Sequence, residues 1–329
     1  MNGRWLVRLG WKLLRLLSLL AAVCFFSFWL VHLSPIDPVQ AYIGADMMLV
    51  GPEQRQQIEA YWGLDRPPLE QFGRWLASLL HGDFGTSMIY RQPVLDVIAE
   101  RFWSSFLLLA AAWVLSGIIG FAAGILAAMT RDRWPDRLIS WYCYTLAATP
   151  TYWLGLVLLL IFSVWLEWFP IGLGVPAGVP AEYVTWQDRL HHMVLPAMAL
   201  SITGIAPIAL HTRQKLLDVL NSEFVLFAKA RGFKGWRLLR RHGLRNIALP
   251  AISLQFAAFS ELFGGTVLVE QVFSYPGLGQ ALVEAGLRGD VPLLLGLVLF
   301  STLFVYVGNG LADGLYRWID PRIRKGSAA

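Results

Sequence analysis

The sequence predicts an all-α integral membrane protein with six transmembrane helices and a small extracytoplasmic subdomain after the first. Three observations carry this. Of 329 residues, 56% are hydrophobic and 15% charged, against ~25% charged in soluble domains. The apolar residues gather in six segments of the ~20 residues that a helix needs to cross a bilayer. Lys and Arg are concentrated in alternate connecting segments. Such a composition excludes a disordered or collagen-like chain and a soluble enzyme.

The six segments are 13–33, 103–129, 138–166, 193–212, 247–272 and 293–311. The first reads as a retained anchor. It is too long for a signal peptide, and His32-Leu33-Ser34-Pro35 offers no small-x-small cleavage site. Pro150 predicts a kink or tilt in the third. Pro196 and Pro207 in the fourth are tolerated where neighbouring helices satisfy the freed carbonyls. Numbering the sides from an inside N-terminus places 20 of the 27 Lys and Arg inside, so both termini are expected in the cytoplasm. The net charge of +5 then reflects topology, not affinity for nucleic acid. On this reading 1–33 is the N-terminal tail and first span, and 34–101 the extracytoplasmic subdomain. Residues 102–316 are the rest of the transmembrane core with an inner loop at 213–246, and 317–329 a cytoplasmic tail. Within 34–101, Gly51-Pro52-Glu53 marks a helix start. Leu69, Phe72, Trp75, Leu76, Leu79 and Leu80 form one apolar face at helical spacing. Cys24 and Cys143 lie inside apolar runs and read as small buried residues.

No motif for catalysis, cofactor or metal is present: no P-loop, HExxH, CxxC or GxSxG. Gly277-Leu278-Gly279 lacks a third glycine in register and takes no nucleotide role. His191 and His192 are adjacent and point apart on a helix, so they are poor joint ligands. Glu261 lies near the middle of the fifth segment, where a carboxylate costs about 2.5–3.5 kcal/mol on insertion scales and needs a partner or a wet cavity. It reads either as a lining residue of a translocation path that favours cationic cargo, or as a hydrogen-bonded packing residue. Asn309 in the sixth segment and Asp313 at its end are placed to pair within the bundle.

The inner loop is the most informative stretch. It reads Asn221-Ser-Glu-Phe-Val-Leu-Phe-Ala-Lys-Ala-Arg-Gly232 and closes on His242-Gly-Leu-Arg-Asn246 and Pro250. Ser222 or Asn221 can cap a helix. Phe224, Phe227, Ala228 and Arg231 fall on one side of it, and Gly232 stops it. Such a helix is too short to stand alone, and its aromatics call for a groove on another protein.

This loop resembles the cytoplasmic coupling loop of ABC importer permeases, in the form found in the dipeptide/oligopeptide/nickel family. The resemblance covers nearly the whole chain. His81-Gly-Asp-Phe-Gly-Thr-Ser87, Thr149-Pro-Thr-Tyr-Trp-Leu-Gly155, His192-Met-Val-Leu-Pro196, Glu270-Gln-Val-Phe-Ser-Tyr-Pro-Gly-Leu-Gly279 and Asp320-Pro-Arg-Ile-Arg324 are similar to family patterns, in the family's order. One departure stands out: Leu226-Phe227-Ala228 occupies the place where the family usually has Arg-Thr-Ala or Glu-Ala-Ala.

The resemblance implies a non-enzymatic permease subunit of the bacterial inner membrane, forming half of a translocation pathway. Its implied partners are a second homologous permease, two ABC ATPase subunits and an extracytoplasmic solute-binding protein. ATPase coupling would fall on Glu223, Phe224, Phe227, Ala228, Ala230, Gly232, Arg241, His242, Arg245, Asn246 and Pro250. Pro276, Gly277 and Gly279 would form an extracytoplasmic motif. The implied cargo is nickel, a nickel chelate or a di- or oligopeptide. Glu261-Leu-Phe-Gly-Gly-Thr266 and the short outer loop before the fourth span favour nickel. Ala112, Ser116, Gly120, Gly124 and Ala128 recur every four residues and admit close approach, either of this chain's own helices or of a second permease. The rival class is a secondary transporter or channel without an ATPase. It would show inverted repeats and discontinuous helices meeting at mid-membrane, and no such repeat is evident.

Overall fold

The computed structural model describes residues 3–43 and 50–319. In chain order its helices are α1 (Gly3–His32), α2 (Pro38–Ile43), α3 (Pro52–Trp62), α4 (Pro68–Leu80), α5 (Val94–Met129), α6 (Trp134–Ala147) and α7 (Thr151–Leu159). They continue with α8 (Trp186–Leu220), α9 (Glu223–Ala230), α10 (Gly235–Leu238), α11 (Leu244–Ala257), α12 (Phe259–Val272), α13 (Leu278–Arg288) and α14 (Val291–Ile319). Wider π turns follow α7 (Leu160–Trp165) and α10 (Leu239–Gly243). Among the described residues β structure is limited to an isolated bridge between Thr86 and Pro93. The motif at 320–324 and most of the tail lie outside the described residues.

Four helices are long and apolar enough to cross a membrane unaided: Gly10–His32, Val94–Met129, Trp186–Leu220 and Val291–Gly314. Two further crossings are broken. The third expected span is not merely kinked at Pro150; α6 and the stretch Thr151–Trp165 meet at 108°. Proline lacks an N–H and pushes the residue before it out of the helical region, so Thr149-Pro150 ends one helix and starts the next. The fifth span bends by 48° at Ala258, whose ψ of −2° interrupts the helix without a proline. By contrast Pro196 and Pro207 sit inside an unbroken α8.

Each broken pair still runs the length of α8. Asp136, at the start of α6, holds Arg213 near one end of α8. Gly172, beyond α7, meets His192 near the other end. Those two points on α8 are about 31 Å apart at helical rise, the thickness of a bilayer's apolar core. Residue Ile247 of α11 packs with Leu216 and Leu217 at the first end, while Phe273, just past α12, meets Leu173 at the second. Both pairs therefore cross as single units, and the described helices make six crossings.

The chain divides into two compact units. Unit 1 comprises residues 1–104 and 276–306. In it Phe72 and Trp75 of α4 pack on Cys24 and Phe28 of α1 and on Leu295. The rest of the expected α4 face is more open, with Leu69 and Leu80 66% and 80% exposed. Helix α3 begins at Pro52 with Gly51 as its cap, as the sequence predicts. Unit 2 comprises 105–275 and 307–329, and is organised around α8. The small-residue stripe of α5 also packs within this unit. A Cβ on Gly124 would lie 2.5 Å from the Ala209 carbonyl oxygen, and one on Gly120 2.9 Å from that of Ile205. The stripe thus faces the chain's own α8.

Candidate functional site

The loop at 213–246 is built from its hinges outward. Ser222 starts α9 in extended backbone (φ −72°, ψ 152°), but its hydroxyl donates to the Val219 carbonyl instead of capping α9. Asn221 ends α8. Glu223 sits in the first turn of α9, where a negative charge suits the helix dipole. Gly232 takes φ +89°. Its N–H donates to the Lys229 carbonyl at 2.9 Å, and that of Phe233 to the Ala228 carbonyl at 3.2 Å. This paired stop is the Schellman arrangement.

Val225 and Ala228 face inward against Val219, Leu220, Phe233 and Leu238. Phe224, Leu226 and Phe227 face outward, 49%, 56% and 67% exposed. Ala228 therefore leaves the outward set that the sequence suggested. It lies at the border of the two faces, and packing on Leu238 turns it inward. Ala230 is exposed. The Arg231 guanidinium lies over the Phe227 ring at 5.7 Å.

The second half of the loop folds back on this stop. Arg241 lies over the Phe233 ring at 5.3 Å, and the His242 ring meets it edge-on at 5.5 Å. Asn246 donates to the His242 carbonyl at 2.7 Å. Arg245 is exposed. Pro250 lies within α11 and lines a cavity of about 540 Å³ with His211, Lys215, Ser253, Phe256 and Asp313.

The anchor of this arm is an ion pair with no sequence signal, its partners being 77 residues apart. Arg213 Nε and Nη2 donate to Asp136 Oδ1 and Oδ2 at 2.6 and 2.8 Å. The Asp132 N–H adds a third hydrogen bond to the carboxylate. The Asp136 side chain is 3% exposed, so its charge depends on these partners.

Glu261 is exposed in the first turn of α12, just past the break. Beside it the Ser260 hydroxyl donates to Asn309 Oδ1 at 2.6 Å. Asn309 thus pairs with Ser260 and not with Asp313, which lines the cavity. At the other end of unit 2 both histidines fasten a loop. His192 Nδ1 lies 2.9 Å from the Gly172 carbonyl and His191 Nε2 3.0 Å from that of Trp168. A Cβ on Gly172 would come within 2.5 Å of the Phe273 carbonyl oxygen. Helix α12 also ends in a Schellman stop, with Ser274 at φ +46°. Burial, with the Glu270 charge beside it, pushes the Tyr275 hydroxyl up to about 12.

In unit 1, Gly277 caps α13 in extended backbone; it and Gly279 are buried, and Pro276 is partly so. Leu278 packs with Val94, Val97 and Ile98. The stretch 81–87 is tied to the same region, since the Ser87 hydroxyl donates to Asp290 Oδ2 at 2.6 Å. Asp290 also accepts from the Ile89 and Leu293 N–H groups. Burial pushes its carboxyl up, against the pull of these bonds. Among the described residues no three His, Cys, Asp or Glu side chains group to hold a metal.

Six crossings, two of them broken, with a cavity beside α8 and an aromatic arm anchored by a buried ion pair, define a polytopic membrane permease. Residues 120–325 match the family described as binding-protein-dependent transport system inner membrane component. The chain is 36% identical over 308 residues to the oligopeptide transport system permease protein AppB of Bacillus subtilis (strain 168), covering 93% of this chain and 96% of that protein. It is 36% identical over 318 residues to the glutathione transport system permease protein GsiC of Escherichia coli (strain K12), covering 95% and 97%. In fold it is similar to a chain of the inward-facing MetNI methionine ABC transporter, with a TM-score of 0.55 at 15% identity, over 69% of this chain and 97% of that one. The chain belongs to the binding-protein-dependent inner membrane transport family, in its dipeptide/oligopeptide/nickel group, and is a permease subunit of an ABC importer. It is a multi-pass inner-membrane protein, not an enzyme, and works with ATPase and solute-binding partners. The breaks in spans three and five, which a secondary transporter would also show, belong here to an ABC permease.

Proposed function

We propose that this permease imports short peptides or peptide-like solutes, and that α9 is the element its ATPase moves. The outward Phe224, Leu226 and Phe227 carry this reading. They are aromatic and aliphatic, exposed, and mounted on a helix whose inner face is fully packed. An apolar face among basic residues suits a groove on a partner. Two permeases over two ATPases would enclose the path, with both termini and α9 in the cytoplasm. The distribution of Lys and Arg supports that orientation. ATP-driven closure of the ATPases would shift α9 as a rigid lever, and the Arg213–Asp136 pair would pass the shift to α6 and α8.

The peptide cargo rests on the relatives, which are named for oligopeptides and glutathione. Nickel rests on the 261–266 resemblance and the short outer loop before the fourth span, and one carboxylate does not make a metal site. Glu261 would face the path and meet the cationic part of the cargo. Glu261→Gln is then expected to reduce uptake of cationic peptides severalfold while sparing neutral ones; equal effects on both would remove it from the path.

The arm is tested by Phe224→Asp with Phe227→Asp. Both side chains are exposed, so the permease is expected to insert normally. Co-purification of the ATPase and vanadate-sensitive uptake should both be lost. Full retention of both would refute the docking role. Gly232→Val removes the stop by another route. No atom lies within 4 Å of a Cβ there, so its cost is the left-handed backbone, about 1–2 kcal/mol for any side chain and more for a β-branched one. Uptake is expected to vanish at normal membrane abundance.

A further inference from the structure

The cavity of about 540 Å³ in unit 2 lies on the α9 side of the break at Ala258. Leu249, Pro250, Leu254 and Phe256 of α11 give it an apolar wall. Lys215 reaches it from α8 and Asp313 from α14. Both are exposed. Among the described residues neither side chain makes an ion pair or a hydrogen bond, with the other or with any third residue. Nearby polar groups are satisfied locally. Gln214 donates to Asp218 Oδ1 at 3.1 Å, and Asn309, one turn before Asp313, is taken by Ser260. His211, one turn before Lys215, and Ser253 of α11 also line the cavity. Neither side chain has a hydrogen-bond partner among the described residues.

A mostly apolar cavity of about 300–1,000 Å³ with a few polar groups among its lining residues has the form of a small-molecule site. Here the polar groups are accessible and uncommitted, and they include two charges of opposite sign that share one apolar wall without joining. Such a pair complements a ligand that carries both signs at separate ends: an ammonium for the Asp313 carboxylate and a carboxylate for the Lys215 ammonium. A ligand with a single charge would leave the other wall charge to water. We propose that this cavity binds a short zwitterionic peptide by its two termini, the free amino group at Asp313 and the free carboxylate at Lys215, with its apolar side chain on Leu254 and Phe256. The choice of a peptide rests on the cargo reading above; the two opposed charges do not. A peptide held here would have passed the bend in the fifth span and would await release on the α9 side.

The test uses the full-length permease assembled with its partner permease and ATPases in nanodiscs, without the solute-binding protein, which would itself take up the probe. Alanyl-phenylalanine, its N-acetyl derivative and its C-terminal amide are titrated and read by saturation-transfer difference NMR. The free dipeptide is expected to saturate below about 10 mM and to bind at least about fivefold tighter than either blocked form, since each block removes one charge-assisted hydrogen bond. Asp313→Asn should erase the preference over the N-acetyl form and keep that over the amide. Lys215→Met should do the reverse. Both side chains are exposed, so both variants are expected to fold, and a merely structural role would weaken all three ligands alike. Discs of phosphatidylglycerol and of phosphatidylethanolamine should give the same result. Equal binding of the three forms, no saturation, a uniform effect of the variants, or binding lost in phosphatidylethanolamine, which would assign the site to a lipid headgroup, would each overturn the proposal. Vesicle uptake of the same dipeptide tests the cargo reading separately. Uptake without binding overturns this site alone; binding without uptake overturns the cargo reading and leaves the site.

Discussion

Asp136→Ala is expected to disable the permease and lower its stability by about 3–5 kcal/mol, the usual cost of removing one partner of a buried ion pair. Arg213 would be left with its charge partly buried and its two shortest hydrogen bonds gone. The loss acts twice. It frees the start of α6 from α8, and it loosens α8 just before the chain enters α9. Arg213→Ala should cost nearly as much, since it strands a carboxylate that is 3% exposed. Exchanging the charges, Asp136→Arg with Arg213→Asp, should restore part of both stability and uptake. Thermal unfolding in detergent and vesicle uptake measure the two effects separately. Wild-type melting and uptake in Asp136→Ala would show that the pair is not a strut.

Gly124→Leu should have an effect of similar size for a different reason. The first side-chain atom would fall 2.5 Å from a backbone oxygen of α8 and 2.7 Å from the Thr212 Cβ. Backbone cannot step aside as a flexible side chain can, so α5 and α8 must separate. Overpacking typically costs 1–3 kcal/mol and sometimes more; here it forces apart the close approach of α5 to α8. Gly124→Leu is expected to lose folded protein, and Gly124→Ala to lower the melting temperature measurably. Gly264→Ala is the control, because nothing lies within 4 Å of its added Cβ. If Gly124→Leu melts like the wild type, the close approach is not needed.

Much of the site could be read before any coordinates. Gly232 is a stop because a helix end favours a residue free to take positive φ, and that preference is local. The short helix α9 and its start near Ser222 follow from the same kind of local chemistry, whereas the closing His242-Gly-Leu-Arg-Asn246 stretch was legible only through the family resemblance. Which side of α9 faces outward does not. An eight-residue helix offers two nearly equal apolar sides, and Leu238 and Phe233, later in the chain, decide which is covered. Ala228 was misplaced for that reason. The hydroxyl of Ser222 likewise found a carbonyl of α8 in preference to its own helix.

Composition and spacing were enough to establish six apolar crossings, the basic loop and the short arm, because bilayer thickness and helix periodicity act on each segment separately. Partners across the fold could not be read this way. The Arg213–Asp136 clamp, the docking of the α5 glycines on α8 and the histidine fasteners at Gly172 all join residues from distant parts of the chain. A polar group leaving water needs a complement, and which distant residue supplies it depends on how the helices cross.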